Sequence, residues 1–342
     1  MIALDRETEV ASRRAVLTGG LATAGIALAG CGGSGEPAKG EGGRTVIRFA
    51  TDWRAQAEQG GWYQALARGL YADAGLDVTI IQGGPAVNVP QLLAAGAVEL
   101  GMGSNSPIVL SMVQADAGVK AVMAGFQKDP QVLITHPRPD ITSIADMKGK
   151  PIMLADASIT AFWPWLRARY GFTDDQVRKY TFNSAPFLAD TNAIQQGYVT
   201  SEPFTLKTQG GIEPQVYLLA DSGYPGYGAM TLAPDRLIAS NRDAVQAFVT
   251  ATIEGWRDYL TGDPAPGDAL ITRDNPDMTP ELLANARKEL VDRQIVIPAD
   301  GRIGAMTEAR WTEFTKVMAD AGVVPADLDW RRGVDLSFVT GA

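Results

Sequence analysis

Cysteine and histidine are almost absent from this chain of 342 residues, which holds one of each, Cys31 and His136. A single cysteine excludes a disulfide within the chain, and it also excludes zinc and iron–sulfur sites built from several thiolates. A single histidine supplies little for a metal site or a catalytic triad, and His136 precedes a proline, which favours a surface or hinge position. We therefore predict a protein that holds no metal and no cofactor.

Positive charge and long apolar runs are also scarce. The chain has 30 Lys and Arg against 39 Asp and Glu, a formal net charge of -9, and no run of five or six like charges. Nucleic-acid binding needs clustered basic side chains, so the composition argues against a nucleic-acid partner. The apolar stretch 15–29 is too short and too rich in Gly and Ala to span a membrane, which takes about 20 apolar residues.

The N-terminus is typical of export and anchoring signals. Arg13 and Arg14 precede the weakly apolar stretch, an order found in Tat export signals, and a Sec signal is the alternative. The segment Leu-Ala-Gly-Cys that ends at Cys31 matches a lipobox, whose cysteine receives a diacylglyceride and becomes the mature N-terminus. We predict a signal peptide over 1–30, a lipidated Cys31 and a Gly-rich tether over 31–44, which place the protein in the periplasm or cell envelope on a membrane. The alternative is that Cys31 is an incidental cysteine.

From residue 45 onward, short apolar runs alternate with segments of helical periodicity, which is typical of mainly parallel sheets flanked by helices. The alternation resumes near residue 150, where we predict a helix over 188–197 and a strand over 198–204. Three long helices are predicted after Pro225. The predicted organisation is lobe 1 over 45–130, lobe 2 over 131–225, and a return to lobe 1 with C-terminal helices over 226–342.

Several motifs in this order resemble those of substrate-binding proteins of ABC importers. The group is the one that contains NMT1/THI5-like proteins and the sulfonate, taurine and nitrate binders. The motifs that carry the resemblance are Asp52-Trp53, GGWYQALARGLYADAGLDVTIIQGG over 60–84, Glu99-Leu100-Gly101, Ser104-Asn105-Ser106, SIADMKGKPI over 143–152 and DTNAIQQGYVTSEPF over 190–204. Together they cover about residues 45–225.

The resemblance implies a two-lobed α/β fold, the periplasmic-binding-protein fold of type II. Each lobe is a mixed, mainly parallel sheet flanked by helices, and the C-terminal helices pack on lobe 1. It also implies a monomer that is not an enzyme, and that delivers a small ligand from the cleft to an ABC permease. Aminopyrimidine or thiamine-precursor-like ligands are favoured. Alkanesulfonate, taurine or nitrate are the alternative ligands, which stay open because the stretch after Trp53 lacks the Pro, Asn and His of the pyrimidine binders. A pyrimidine-precursor synthase-like enzyme and a partner-binding lipoprotein stay open as further alternatives.

Ligands of open α/β sheets lie beyond the carboxyl ends of the strands, so residues at strand ends and helix starts are the binding candidates. They are Asp52, Trp53, Trp62, Tyr63, Ser104, Asn105, Ser158, Phe162, Trp163, Asp190, Tyr198, Glu202, Phe204 and Tyr227. The aromatic candidates would stack on a planar ligand or line the cleft, and core packing is the alternative for them. The serines and the asparagine lie at helix starts, where they would help to hold an anion or a carbonyl, or simply cap the helix.

The three carboxylates among these candidates bear on the charge of the ligand. If Asp52, Asp190 and Glu202 all face the cleft, the ligand carries hydrogen-bond donors or a positive charge. Sulfonate and nitrate would instead require Arg or Lys. Lys207 and Arg54 are the basic candidates that would favour an anion.

Overall fold

The structure, a computed structural model, describes residues 38–339. This part of the chain contains two five-stranded sheets. The predicted signal peptide with Arg13 and Arg14, and the predicted lipidation site Cys31, lie outside these residues. In chain order the strands are β1 (Thr45–Ala50), β2 (Leu76–Ile81), β3 (Leu100–Asn105), β4 (Val119–Phe126), β5 (Gln131–Thr135), β6 (Ile152–Leu154), β7 (Val177–Lys179), β8 (Ile194–Tyr198), β9 (Gln215–Leu218) and β10 (Gly228–Pro234).

The first sheet, in the order β2-β1-β3-β10-β4, forms lobe 1. Strands β1, β2 and β3 pair in parallel, whereas β10 returns from far along the chain and lies antiparallel between β3 and β4. The second sheet, β7-β6-β8-β5-β9, forms lobe 2 with the same scheme, because β5 lies antiparallel to β8 and β9. The predicted two-lobed α/β architecture with mixed sheets is confirmed. The chain passes between the lobes over residues 127–130 and 219–227, the first and second crossover.

Helices flank both sheets, and those after β10 pack mainly on lobe 1. They are α1 (Gly60–Ala67), α2 (Leu70–Asp73), α3 (Val89–Ala94), α4 (Ser106–Gln114), α5 (Asp156–Ala161), α6 (Trp163–Tyr170), α7 (Ala185–Ala189), α8 (Glu202–Gly210), α9 (Asp235–Ser240), α10 (Arg242–Thr261), α11 (Ala265–Asp274), α12 (Pro280–Asp292) and α13 (Glu308–Asp320). Helices α10 and α11 lie against α1, whereas α13 also contacts α6 of lobe 2. Within residues 38–339, no helix is both long and apolar enough to span a membrane.

Glycines allow α1 and α10 to approach closely in the core of lobe 1. A Cβ atom on Gly255 would lie 2.2 Å from the carbonyl oxygen of Gly61, and one on Gly61 would lie 2.2 Å from the ring of Trp256. The aromatic core beneath them includes Phe49, whose ring centroid is 5.5 Å from that of Trp62. The paired glycines at the start of α1 therefore serve helix packing, which turns the aromatic face of α1 toward the sheet.

Both crossovers are held by the C-terminal part of the chain. In the first crossover, the backbone N–H of Gln127 donates to the carbonyl oxygen of Ile295 at 2.6 Å. In the second, Arg310 of α13 donates to the carbonyl oxygens of Pro225 at 2.7 Å and Gly226 at 2.8 Å. The C-terminal helices thus fix the two segments about which the lobes would move.

Two elements of lobe 2 differ from the sequence-based expectation. The predicted helix over 188–197 is wrong, because α7 ends at Ala189 and β8 begins at Ile194, and the predicted strand over 198–204 is wrong, because α8 begins at Glu202. Strand β8 is buried, yet it carries Gln195 and Gln196, which hide the apolar alternation typical of a strand. The Gln196 side chain is satisfied by accepting a backbone N–H from the neighbouring strand end at 2.6 Å.

Candidate functional site

Four carboxylates and one tyrosine meet where the two lobes face each other. Asp52 follows β1 and Glu58 lies in the 3₁₀ turn before α1, so both belong to lobe 1. Glu202 opens α8 of lobe 2, and Asp129 lies in the first crossover. Burial, and then the charges of all four carboxylates, raise the pKa of Tyr198 at the end of β8 well above its ordinary value. We call Asp52, Glu58, Asp129 and Glu202 the acidic cluster.

Burial raises the pKa of every member of the acidic cluster. The pKa of Asp129 rises to about 7, although a backbone N–H and the charge of Arg310 act against the rise. The charge of Asp52 adds to the raised pKa of Glu58, and the charge of Glu58 adds to that of Glu202. Like charges repel strongly in a desolvated site, so a cation or a set of N–H donors in contact with the cluster would relieve this repulsion.

Hydrogen bonds hold two members of the cluster and join the lobes. Glu202 accepts from the backbone N–H of Tyr198 at 2.8 Å and from the hydroxyl of Tyr180 at 3.4 Å. Glu58, which is only 6% exposed, accepts from the hydroxyl of Thr200. Because Glu58 belongs to lobe 1 and Thr200 to lobe 2, this bond crosses the junction directly.

Asp52 brings a buried acceptor without a partner to the same place. The hydroxyl of Ser104, at the end of β3, hydrogen-bonds Asp52 and so acts to lower its pKa against the effect of burial. The Oδ1 atom of Asp52 is buried and has no hydrogen-bond partner between residues 38 and 339. Asn105 follows Ser104 and precedes α4. These predicted strand-end residues therefore lie together at one edge of the lobe 1 sheet.

An aromatic pair crosses the junction beside the cluster. The ring centroids of Trp53 in lobe 1 and Phe182 in lobe 2 are 5.0 Å apart, and Tyr180 lies 5.4 Å from Phe182 on the lobe 2 side. Phe182 was not among the predicted site residues. It is 53% exposed and holds a φ of 60°, a backbone conformation that bulky residues rarely adopt. The predicted position of Trp53 near the cleft is consistent with this contact.

Of the two basic side chains proposed as anion ligands, one is paired elsewhere and the other is exposed. Lys207 pairs with Glu213 at 2.6 Å on the exposed side of α8, and Arg54 is exposed to solvent. Arg310 stacks its guanidinium 3.9 Å from the ring centre of Tyr227 while it donates to the second crossover. Of these side chains, Lys207 is therefore paired away from the acidic cluster, whereas the charge of Arg310 acts on Asp129.

The start of α5, expected to hold an anion, carries a carboxylate of its own. Asp156 is the first residue of the helix and pairs with Lys179 at 3.4 Å. Ser158 is buried two residues later, and its N–H donates to the carbonyl oxygen of Ala155 at 2.9 Å. An acidic side chain at a helix N-terminus occupies the position where an anionic ligand would gain most from the helix dipole.

Four of the predicted aromatic ligands belong to the cores of the lobes, so their prediction as cleft residues is wrong. They are Trp62, Tyr63, Phe162 and Trp163, each no more than 1% exposed. The hydroxyl of Tyr63 donates to Asp274 at 3.0 Å, and the indole N–H of Trp163 donates to Asp174 at 2.9 Å. Large rings on a helix face are buried against the sheet because that removes the most apolar area from water.

Three other candidates occupy different surroundings. Asp190 ends α7, is exposed, and accepts from the N–H of Asn192 at 2.8 Å, so it does not join the acidic cluster. Its predicted place in the cleft is wrong because Asp190 precedes β8, whereas Tyr198 and Glu202 lie at and beyond the other end of that strand. Tyr227 is buried, and its hydroxyl accepts from the N–H of Thr307 at 3.0 Å. Phe204 lies partly buried on α8, and its role stays a prediction.

His136 is buried in lobe 2, and the expectation of a surface or hinge position is wrong. Its Nε2 atom lies 2.8 Å from the carbonyl oxygen of Phe187, and the two rings stack with centroids 4.4 Å apart. The aromatic partner comes from α7, an element that the sequence did not indicate at that position. Between residues 38 and 339, no three His, Cys, Asp or Glu side chains are placed to hold a metal ion together.

Solved structures share this two-lobed fold at low sequence identity. The sulfonate-binding protein SsuA from Methylobacillus flagellatus is 16% identical, with a TM-score of 0.63 over 86% of this chain and 93% of that one. The nitrate-binding protein NrtA from Synechocystis is 13% identical, with a TM-score of 0.59 over 86% and 87%. The desulfurization enzyme DSZB is 12% identical, with a TM-score of 0.53 over 86% and 98%. These likenesses confirm the periplasmic-binding-protein fold and leave the ligand to be argued from the site.

Comparison by sequence gives the family. No curated protein matches the chain. A family model described as NMT1/THI5 like matches residues 56–265, which is more than half of the chain. The matched range contains every member of the acidic cluster except Asp52. The chain therefore belongs to the NMT1/THI5 like family.

Proposed function

We propose that this protein is the solute-binding component of an ABC importer, active outside the cytoplasm as a monomer and anchored to the membrane through a lipidated Cys31. The family and the fold support this role, since SsuA and NrtA are named as sulfonate- and nitrate-binding proteins. A ligand would enter between the lobes, which would close on it through movement at the two crossovers. The ligand would then pass to permease subunits in the membrane.

The ligand we propose is a small molecule with a positive charge or several N–H donors, and an aminopyrimidine or a thiamine-precursor-like compound is favoured. The acidic cluster is the observation that carries this proposal. Burial raises the pKa values of its four carboxylates, the charge of Asp52 adds to the rise at Glu58, and the charge of Glu58 adds to the rise at Glu202. Arg310 is the cation that acts on Asp129. The rings of Trp53 and Tyr198 beside them suit a planar heteroaromatic ligand.

An alkanesulfonate, taurine or nitrate is the second candidate, favoured by the similarity to SsuA, a sulfonate-binding protein, and NrtA, a nitrate-binding protein. The site argues against it. An anion beside the acidic cluster would add repulsion, and the predicted anion position at the start of α5 already carries Asp156. An enzyme of the pyrimidine-precursor synthase type and a partner-binding lipoprotein are the remaining alternatives, and DSZB demonstrates that this fold also serves an enzyme.

A thermal-shift panel on the chain without residues 1–31 tests the proposal. Aminopyrimidines, thiamine precursors, polyamines, taurine, other alkanesulfonates and nitrate are compared. A ligand at 100 times its dissociation constant stabilises by about 2.7 kcal/mol, which at this size raises the melting temperature by roughly 4 °C. We expect a shift with an amine and none with the anions.

Two matched variants separate the cluster from general acidity. Glu202→Gln removes one charge of the acidic cluster and should reduce the amine-induced shift. Asp190→Asn removes an exposed carboxylate outside the cluster and should leave the shift unchanged. A shift with sulfonates alone would retain the importer role and overturn the ligand class, whereas no shift with any compound would favour a partner-binding lipoprotein.

A further inference from the structure

A buried glutamine at the start of lobe 2 holds an acceptor oxygen without a partner. Gln131 is the first residue of β5 and is 7% exposed. Its backbone is fully engaged, since its N–H donates to Asp129 at 3.1 Å and its carbonyl accepts from Leu219 at 3.1 Å. Its side-chain Oε1 atom has no hydrogen-bond partner between residues 38 and 339. Burying an acceptor in this way costs about 1–3 kcal/mol, so such groups call for an explanation.

The side chain of Gln131 faces the acidic cluster. Gln131 pairs with Tyr198 across the antiparallel strands β5 and β8. Directly opposed residues of an antiparallel pair project from the same face of the sheet, with Cβ atoms about 5 Å apart. Tyr198 is the residue on whose hydroxyl the charges of all four cluster members act. The unpartnered oxygen therefore stands beside the same space as the carboxylates.

Lobe 1 presents a second unpartnered acceptor to that space. The buried Oδ1 atom of Asp52 has no hydrogen-bond partner among the described residues, and Asp52 also acts on Tyr198. Each lobe thus contributes one buried oxygen that lacks a donor. Two such acceptors on opposite sides of a closing cleft match a ligand that carries at least two N–H groups.

We propose that Gln131 is a ligand-binding residue that determines specificity, and that its Oε1 atom accepts an N–H from an amino-substituted heteroaromatic ligand. Asp52 accepts a second N–H or the positive charge of the same ligand from lobe 1. The inference rests on the proposed solute-binding function and names one contact within it. A ligand without an amino group leaves Oε1 unpartnered, so this contact discriminates by donor number and not by size.

Two nearly isosteric probes, 4-amino-2-methylpyrimidine and 2,4-dimethylpyrimidine, test the contact by titration calorimetry on the full chain. They differ in that a methyl group replaces the amino group. The wild type should bind the amino compound at least about tenfold more tightly, since one lost hydrogen bond is worth about 1.4 kcal/mol. Gln131→Leu should reduce that preference about tenfold, chiefly by weakening the amino compound. Gln131→Glu keeps the acceptor and should preserve the preference.

The chain offers a matched control in Gln195. Its Oε1 atom is also buried without a partner, but its amide N–H donates to Ser184, and it lies three residues before Tyr198 on β8. Residues three apart on a strand project from opposite faces, so Gln195 faces away from the cluster. Gln195→Leu should therefore leave the preference at its wild-type value. Equal melting temperatures of the variants exclude a loss through unfolding, and Gln131→Met replaces Gln131→Leu if the latter melts early.

Each outcome decides the inference. An unchanged preference in both Gln131→Leu and Gln131→Met overturns the inference and leaves the importer role standing, because the wild type still binds the amine. A preference lost equally in Gln195→Leu also overturns it, since the effect would then be structural. If the wild type binds neither pyrimidine, the inference about Gln131 is also overturned. Binding of taurine by the wild type would then retain the importer role, whereas binding of no solute would overturn the importer role as well.

Discussion

At the scale of single residues, buried carboxylates dominate the junction of the lobes, and Arg310 is the cation whose charge acts on one of them, Asp129. Carboxylates packed together normally pair with Arg or Lys or take up protons. Here burial raises the pKa values of Asp52, Glu58, Asp129 and Glu202, and Arg310, whose charge acts on Asp129, also donates to the carbonyls of the second crossover. A cationic or donor-rich ligand would complete the arrangement, and this is why we favour it.

The raised pKa of Asp129 makes stability depend on pH. Its pKa is about 7 in the folded protein and about 3.9 in an unfolded chain, so between about pH 4 and 7 the folded state binds more protons. We expect the free energy of unfolding to fall as pH rises through that window, by at most about 1.4 kcal/mol per pH unit from this group. Urea unfolding of the unliganded protein at pH 5 and pH 7.5 measures the difference.

Asp129→Asn is the control for this dependence. The amide keeps an acceptor for the N–H of Gln131 and removes the titration, so the loss of stability between pH 5 and pH 7.5 should shrink. It should not vanish, because the pKa values of Glu58 and Glu202 are also raised and act in the same direction. A slope as steep as that of the wild type would contradict the assignment.

Members of the acidic cluster could be predicted from the sequence only where they lie close to the end of a strand. Asp52 follows β1, Glu202 begins α8 shortly after β8, and the structure brings both into the acidic cluster. Glu58, Asp129 and Gln131 gave no such indication, because they lie in a 3₁₀ turn, a crossover and a strand start whose spatial neighbours come from the other lobe. A search for carboxylates next to the predicted lobe boundary near residue 130 would have found Asp129.

At the scale of elements, the α/β alternation could be predicted from the sequence, whereas the boundaries of helices and strands in lobe 2 could not. Helix α10 and strands β1 to β4 show clear periodicity, whereas strand β8 carries two buried glutamines, each of which makes a tertiary hydrogen bond. Strand β10 was not predicted, because its partners β3 and β4 lie more than 100 residues earlier in the chain. Local pattern cannot indicate such a pairing.

Close packing of α1 and α10 gives a prediction at this scale. Gly255→Ala places a Cβ 2.2 Å from the carbonyl oxygen of Gly61, so the helices must separate. Despite the better helix propensity of alanine, we expect a loss of about 1–3 kcal/mol in the free energy of unfolding. Chemical denaturation measures it, and Gly84→Ala, where a Cβ meets no atom within 4 Å, is the neutral control. Equal stability of both variants would refute the packing argument.

At the scale of the whole molecule, the lobes are joined by the Thr200–Glu58 hydrogen bond and the Trp53–Phe182 ring contact. These contacts describe a closed arrangement, and the crossovers that would open it are held by α13 and the segment before it. Closure brings desolvated carboxylates together, so its free energy depends on what lies between them. A ligand that neutralises the cluster therefore favours the closed state over the open one.

Thr200→Val tests the closure. Valine has nearly the same shape but leaves Glu58 without its donor, so the closed state should lose about 1–3 kcal/mol relative to the open one. Small-angle X-ray scattering should report a larger radius of gyration than in the wild type. Thr208→Val removes an exposed hydroxyl elsewhere in lobe 2 and should not change the radius. An identical radius for all three proteins would contradict a role of this bond in closure.

We propose above that the acidic cluster between the lobes binds an amine and not an anion. The most direct measurement is calorimetric titration of the protein without residues 1–31 with 4-amino-2-methylpyrimidine and with taurine, in the wild type and in Glu58→Gln. We expect binding of the amine, no binding of taurine, and at least about tenfold weaker amine binding in the variant, because charge-assisted hydrogen bonds contribute about 1.5–3 kcal/mol. Binding of taurine that is unchanged or stronger in Glu58→Gln, with no binding of the amine, would contradict it.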